Sequence, residues 1–215
     1  MPHIDFVGPD GDTWPSVTQV VGVIAKPQLM KWYAKVGTDE AKRILDSTGD
    51  LGTQVHAEIY ARFNGSVPDV PVTVEATKMA DSFFEKFVKP FEVEPIELEK
   101  KVVSAEHRYH GTFDGIVKVT GLFKGLGYHN GPILADWKTS SGIYDTMGVQ
   151  LGGYWKATDN APKHGLIVRM DKKPKKRGGY TIQNKAYKDL EHYGNVFLNA
   201  RELWDFVNHK GAWSK

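Results

Sequence analysis

Ile133-Leu134-Ala135-Asp136-Trp137-Lys138-Thr139 reads as a strand, apolar in its first half and charged in its second. Two stretches frame it. Gly111-Thr112-Phe113-Asp114-Gly115 lies in an alternating segment, 109–119, and Gln150-Leu151-Gly152-Gly153-Tyr154 lies in a segment, 145–157, that reads as a helix. Side chains at i and i+2 of a strand share a face, so Asp136 and Lys138 point one way and Trp137 into the opposite layer. Gln150 and Tyr154, four residues apart, share a helical face. A further alternating segment, 96–103, precedes these. With 132–138 they predict an antiparallel meander, its last two strands joined by a glycine-rich connection at 121–131.

Downstream, 165–170 and 180–184 read as strands joined by the basic loop Asp171-Lys172-Lys173-Pro174-Lys175-Lys176-Arg177-Gly178. A last helix, 186–208, places Leu190, Val196, Phe197, Ala200, Leu203, Trp204 and Val207 on one face. Upstream the chain is mainly helical. Residues 1–15 read as a short irregular or β-hairpin lead with a turn at Gly8-Pro9-Asp10-Gly11-Asp12. Ser16 is an N-cap for a helix to Ala25, and Pro27 restarts the chain. Leu29, Trp32 and Tyr33 recur at helical spacing, and short helices are predicted at 39–47 and 53–63, the latter stopped by Asn64-Gly65. Segment 74–88 carries Met79, Phe83, Phe84 and Phe87 on one face and ends at Pro90. This order predicts a mixed α/β fold with a central, mostly antiparallel or mixed sheet flanked by helices. At 215 residues the expectation is one domain, with a helical region over 1–90 and a core with C-terminal helix over 91–215.

The chain has no cysteine, which excludes disulfides, thiolate zinc sites, an iron–sulfur cluster and a cysteine nucleophile. The polar start Met1-Pro2-His3-Ile4-Asp5 is no signal peptide, and the longest apolar run, 20–25, is too short to span a bilayer. The expectation is a cytoplasmic or otherwise intracellular protein without a membrane segment. Net charge is only +2, so any nucleic-acid contact must come from local patches.

Asp114 lies at the middle of its strand, close enough to pair with the Asp136 region across a hairpin. Two carboxylates converging there could hold Mg²⁺ or Mn²⁺ through oxygen while leaving waters for chemistry. A lysine beside them could orient or deprotonate water, or neutralise a phosphate. The same residues also read as solvated charges on a hairpin. Gln150 and Tyr154 could fix a phosphate or a water, or be surface and core. His56, near the start of a helix in Leu51-Gly52-Thr53-Gln54-Val55-His56, would favour manganese-capable binding, or be a packing or surface residue.

Taken together, Gly52-Thr53-x-x-His56, Glu99, Gly111-Thr112-x-Asp114-Gly115, Asp136-x-Lys138-Thr139 and Gln150-x-x-x-Tyr154 resemble the RecB-type branch of the PD-(D/E)xK nuclease superfamily over residues 50–155. Pro15-Ser16-Val17-Thr18 and Trp32 are similar to the N-terminal part of its small phage-type and mitochondrial-type exonucleases. The resemblance implies a restriction-endonuclease-like core. It implies that His56, Asp114 and Asp136 bind metal with the Trp137 carbonyl, that Lys138 is catalytic, and that Gln150 and Tyr154 position substrate. Glu99 fits the acidic position before the first aspartate, although Glu97 shares its strand face. Phe113 stands where the superfamily's name has proline. The implied activity is Mg²⁺- or Mn²⁺-dependent exonuclease action on free, single-stranded or frayed DNA ends, in DNA repair, recombination or phage replication. A structure-specific or nicking endonuclease and a non-cleaving binding module are the alternatives. No helicase motor lies in these residues, so strand separation must come from a helicase, recombination or single-strand-binding partner or from substrates already frayed.

Candidate DNA contacts are Thr139 and Ser140 after the lysine, and Lys172, Lys173, Lys175, Lys176 and Arg177 in the basic loop, which otherwise reads as a solvated hairpin tip. Trp32, Tyr33, Tyr144 and Trp155 could stack on bases or fill the core. The 121–131 connection, with Phe123, Lys124, Tyr128 and His129, could cover the cleft or be a mobile hairpin end, and His129 is not expected to bind metal.

Overall fold

The computed structural model describes residues 6–159, 161–175 and 179–208, without the side chains of Gln28 and Thr48. Strands β1 (Phe6–Val7) and β2 (Thr13–Trp14) pair in a small hairpin. Helices α1 (Val17–Gly22), α2 (Pro27–Val36), α3 (Thr38–Asn64) and α4 (Val74–Phe83) follow, the last continuing into a π-helical turn at Phe84–Val88. Then come β3 (Glu94–Ser104), β4 (Tyr109–Phe123), β5 (Gly127–Lys138), α5 (Asp145–Lys156), β6 (Gly165–Met170), β7 (Ile182–Tyr187) and α6 (Leu190–Asn208). The five-stranded sheet runs β3-β4-β5-β6-β7. All neighbours are antiparallel except β5 and β6, which are parallel because α5 carries the chain back across the sheet.

Period-2 alternation divides β5 and β6 between two cores. Ile133, Ala135, Trp137, Leu166, Val168 and Met170 pack on α3 and α4 through Val55, Ile59, Met79 and Phe83. Leu134 and Ile167 pack on α1, α5 and α6 through Val17, Leu151 and Phe197. Both faces are thus covered, as a sheet with a parallel crossover requires. Ser16 caps α1 in a capping box with Gln19.

Several boundaries differ from the expectation. Segments 39–47 and 53–63 are one helix, α3, which runs on through Gly49-Asp50-Leu51-Gly52 with Leu51 packed against the core. Thr53 Oγ1 donates to the Gly49 carbonyl inside it (3.2 Å). The 121–131 connection is mostly strand. Phe123 pairs with Gly127, leaving a three-residue turn with Gly125 at φ +91°. Strand β7 extends to Tyr187, where a helix was expected from 186, because Ala186 and Tyr187 pair with Leu166 and Gly165. Among the described residues, no helix is long and apolar enough to cross a membrane.

Candidate metal centre

Helix α3 delivers His56. Buried Val55 and Ile59 hold the helix on the sheet, and Gly52 lets it approach the end of β5, since a Cβ there would lie 3.1 Å from Thr139 Oγ1. His56 Nε2 is 3.0 Å from the Trp137 carbonyl oxygen. Its Nδ1 is 3.3 Å from Asp114 Oδ1 and 3.9 Å from Glu99 Oε1.

Asp114 is held by the sheet itself. The β4–β5 ladder stops at Gly115 opposite Ala135. Beyond it, the Trp137 N–H donates to Asp114 Oδ2 (2.6 Å), so a side chain replaces a main-chain acceptor. The alternation of β4 switches here: Tyr109, Phe113 and Ile116 all reach the α5–α6 core, whereas Val117 and Val119 reach the other. That switch turns Asp114 towards α3. Glu99 lies between the pairs Leu98–Gly115 and Lys100–Phe113, opposite Asp114. A register shift between Pro95 and Glu97 and a φ of +48° at Glu99 aim its carboxylate at His56, while Glu97 pairs with Lys100 (2.6 Å).

One ligand atom each from His56, Glu99 and Asp114 lies within 4.8 Å of the others. Two carboxylates and an imidazole are a donor set for a hard-to-borderline divalent ion such as Mg²⁺ or Mn²⁺. Asp136, 1% exposed, stands outside this cluster, with Oδ2 2.5 Å from Lys138 Nζ. Lys138 is its ion-pair partner, and no other donor meets Oδ2 among the described residues. A buried carboxylate oxygen so placed also fits a nearby cation. The Trp137 carbonyl, expected as a metal ligand, is engaged by His56 Nε2, where it orients the ring. Metal-binding histidines commonly hold their second nitrogen this way.

Across the sheet, Gln150 Nε2 donates to Tyr154 Oη (2.9 Å). The Tyr154 ring lies against Gly111, where a Cβ would come within 2.7 Å of it. The charges of Asp136 and Lys138 are both felt at the Tyr154 hydroxyl, in opposite directions.

Charge is unbalanced here. Burial alone would lower the pKa of His56, but the Asp114 carboxylate outweighs it and lifts the imidazole to about 9. Burial and then the charge of Asp114 push Glu99 up to about 7. Asp114 resists burial and is held low by His56 and Lys138. Asp136 is raised by burial and by Asp114, against the opposing pull of Lys138. Lys138 stays cationic because Asp136 and Asp114 outweigh its burial. Burial raises Tyr154 as well.

Two residues near the site escape a reading of local pattern. Asp69, in the loop after α3, adds to the field that raises Glu99. Arg169, 3% exposed, is paired with Lys138 in the parallel register and binds the Ser140 carbonyl through Nη1 (2.7 Å). Its one sequence signal is a lone cation in the apolar strand Leu166-Ile167-Val168-Arg169-Met170.

The remaining candidates are dispersed. Thr139 and Ser140 follow Lys138 directly. Lys172, Lys173 and Lys175 leave the C-terminal end of β6, the same end of the sheet as Lys138; Lys176 and Arg177 lie outside the described residues. Trp32 and Tyr33 pack edge to face on α2, and Trp155 lies under Lys156 beside the second core. Tyr144 Oη is 2.8 Å from Ser141 Oγ. His129, near the start of β5 and beside His164, is at the opposite end of that strand from Asp136.

No protein-family model and no curated protein matches the sequence. Among solved structures, the chain is similar to the crystal structure of SSO0001, at 14% identity and a TM-score of 0.42, over 97% of this chain and 80% of that one. It is also similar to an alkaline exonuclease, LHK-Exo, from Laribacter hongkongensis, at 12% identity and a TM-score of 0.39, over 92% of each chain. At such scores the likeness does not extend to activity.

Proposed function

We propose that this protein is a divalent-metal-dependent deoxyribonuclease that hydrolyses phosphodiester bonds at free DNA ends, on single-stranded or frayed substrate. The observation that carries this reading is the convergence of His56, Glu99 and Asp114 within 4.8 Å, beside the Asp136–Lys138 ion pair. His56, Glu99 and Asp114 would hold Mg²⁺ or Mn²⁺, with Asp136 completing the set. Such an ion supplies Lewis acidity, activating water and offsetting phosphate charge. The Trp137 carbonyl keeps the proton on His56 Nε2, which leaves the Nδ1 lone pair facing the carboxylates. Lys138, fixed by Asp136, presents a cation to the scissile phosphate or to the attacking water. Gln150 and Tyr154 orient the same phosphate from α5.

Two features support a preference for ends. Helix α2 packs on α3, whose first half is largely exposed, and this helical region would confine a strand. The described residues also offer no motor for opening duplex DNA, so a helicase, recombination or single-strand-binding partner inside the cell would supply unpaired ends. The test is digestion of end-labelled linear and covalently circular DNA, single- and double-stranded, with Mg²⁺ or Mn²⁺. Linear single strands should be degraded while circles persist. Equal cleavage of circles would favour an endonuclease, and no cleavage of any substrate with either metal would reject the nuclease reading.

A further inference from the structure

Between Lys138 and α5 the chain runs through Thr139-Ser140-Ser141-Gly142-Ile143, and two of its carbonyls are engaged by side chains. The Ser140 carbonyl accepts from Arg169 Nη1 (2.7 Å), and the Gly142 carbonyl accepts from Ser140 Oγ (2.7 Å). A trans peptide places its N–H opposite its C=O. The Ser141 N–H therefore points away from the guanidinium, and the Ile143 N–H away from the Ser140 hydroxyl. None of the N–H groups of Ser140, Ser141, Gly142 and Ile143 donates to an acceptor among the described residues. Amides left free on one loop are available to an anion.

Arg169 makes this a built feature. Its guanidinium is locked by Gln183 Oε1, which accepts from Nε (3.2 Å) and Nη2 (3.0 Å), and its one carboxylate partner, Asp171, is distant at 3.4 Å. A buried, weakly neutralised cation thus lies directly behind the amides. The Ser141–Tyr144 hydroxyl contact shapes the far side of the loop.

We propose that loop 139–143 is a phosphate-binding cradle that holds a backbone phosphate next to the scissile one, with Arg169 as its positioning residue. The identity of the ligand rests on the nuclease reading above. The loop's amides, rather than the lysines of the β6–β7 connection, would then fix the register of the strand on the metal centre.

The test is amide NMR of the metal-free wild-type protein titrated with inorganic phosphate, with chloride at equal ionic strength as control. Saturable shifts confined to the amides of Ser140, Ser141, Gly142 and Ile143 are expected. Arg169→Gln should weaken phosphate binding on the order of tenfold, because the loop loses the charge-assisted contact at the Ser140 carbonyl that holds its amides in place. Arg169→Lys, which keeps the charge but not the fork, should recover only part of it. With DNA, Arg169→Gln should raise KM more than it lowers kcat. Shifts absent from this loop, or confined to Lys172, Lys173 and Lys175, would overturn the cradle whether or not the variants fold. Phosphate binding at the loop in a protein that cuts no DNA would retain the cradle and reject the nuclease reading.

Discussion

His56 must lose a proton before Nδ1 can bind a cation. Its pKa of about 9 and that of Glu99, about 7, set the direction of the pH dependence. The raised pKa of His56 stabilises the metal-free fold below its ordinary value of 6.5, and that contribution is lost as pH rises through about 9. The raised pKa of Glu99 costs stability above its ordinary 4.5, increasingly up to about 7. Both effects weaken the metal-free protein as pH rises over this window. The same rise frees the ligands, so the stabilisation conferred by Mn²⁺ should grow between pH 6 and 9. Thermal melts with and without Mn²⁺ at several pH values check this, and a metal effect that shrinks with pH would contradict the ligand set. Asp114→Asn keeps an acceptor for the Trp137 N–H and removes the charge. It should fold, bind Mn²⁺ at least about tenfold more weakly in a calorimetric titration, and return His56 towards its ordinary pKa. Lys138→Ala should keep metal and DNA binding but lose turnover by on the order of 10²-fold, measured under single-turnover conditions. At this scale much of the site was legible. Strand period placed Asp136 with Lys138, and helical period placed Gln150 with Tyr154. The choice between Glu97 and Glu99 was not, because a bulge and a left-handed φ decide it, and neither leaves a mark in residue alternation.

Elements meet closely at glycines that look costly in isolation. In a helix, each glycine is about 1 kcal/mol worse than alanine. Gly152 is nonetheless required by the α5–α6 crossing, where a Cβ would lie 2.3 Å from the Tyr193 carbonyl carbon and 2.4 Å from the Gly194 nitrogen. Main-chain atoms cannot step aside, so Gly152→Ala must push the helices apart and carry Gln150 and Tyr154 with them. Destabilisation of about 3 kcal/mol is expected in urea unfolding, at the upper end for overpacking. Gly49 is the contrast: it lies within exposed α3, and nothing stands within 4 Å of a Cβ there. Gly49→Ala should stabilise by up to about 1 kcal/mol. The two signs distinguish a packing glycine from a tolerated one. From sequence alone both sit in helical segments and look alike. Gly49 and Gly52 both lie between 39–47 and 53–63, the segments expected as two helices, and of the two only Gly52 has a close neighbour, Thr139.

Across the whole molecule, the parallel pairing of β5 with β6 decides which surfaces adjoin the metal centre. Order along the chain predicted a mixed sheet, but no local pattern could say that β6 would lie beside β5 with its C-terminal end level with Lys138; the α5 crossover does that. It brings the β6–β7 connection to the same end of the sheet as Lys138. With a net charge of only +2, any attraction to DNA would have to come from such patches. Replacing Lys172, Lys173 and Lys175 together with glutamine should therefore weaken DNA binding about equally for all sequences, because phosphate contacts carry no base information. It should also flatten the dependence of log affinity on log salt, by about 0.7 per lost contact on a single strand. Turnover at saturating DNA should be preserved, since the candidate ligands lie on α3, β3, β4 and β5. Binding measured at several salt concentrations in Ca²⁺, to suppress cleavage, gives both quantities. A slope identical to that of the unmodified protein would mean that these lysines are a solvated tip, and would leave strand placement to the amides that follow Lys138.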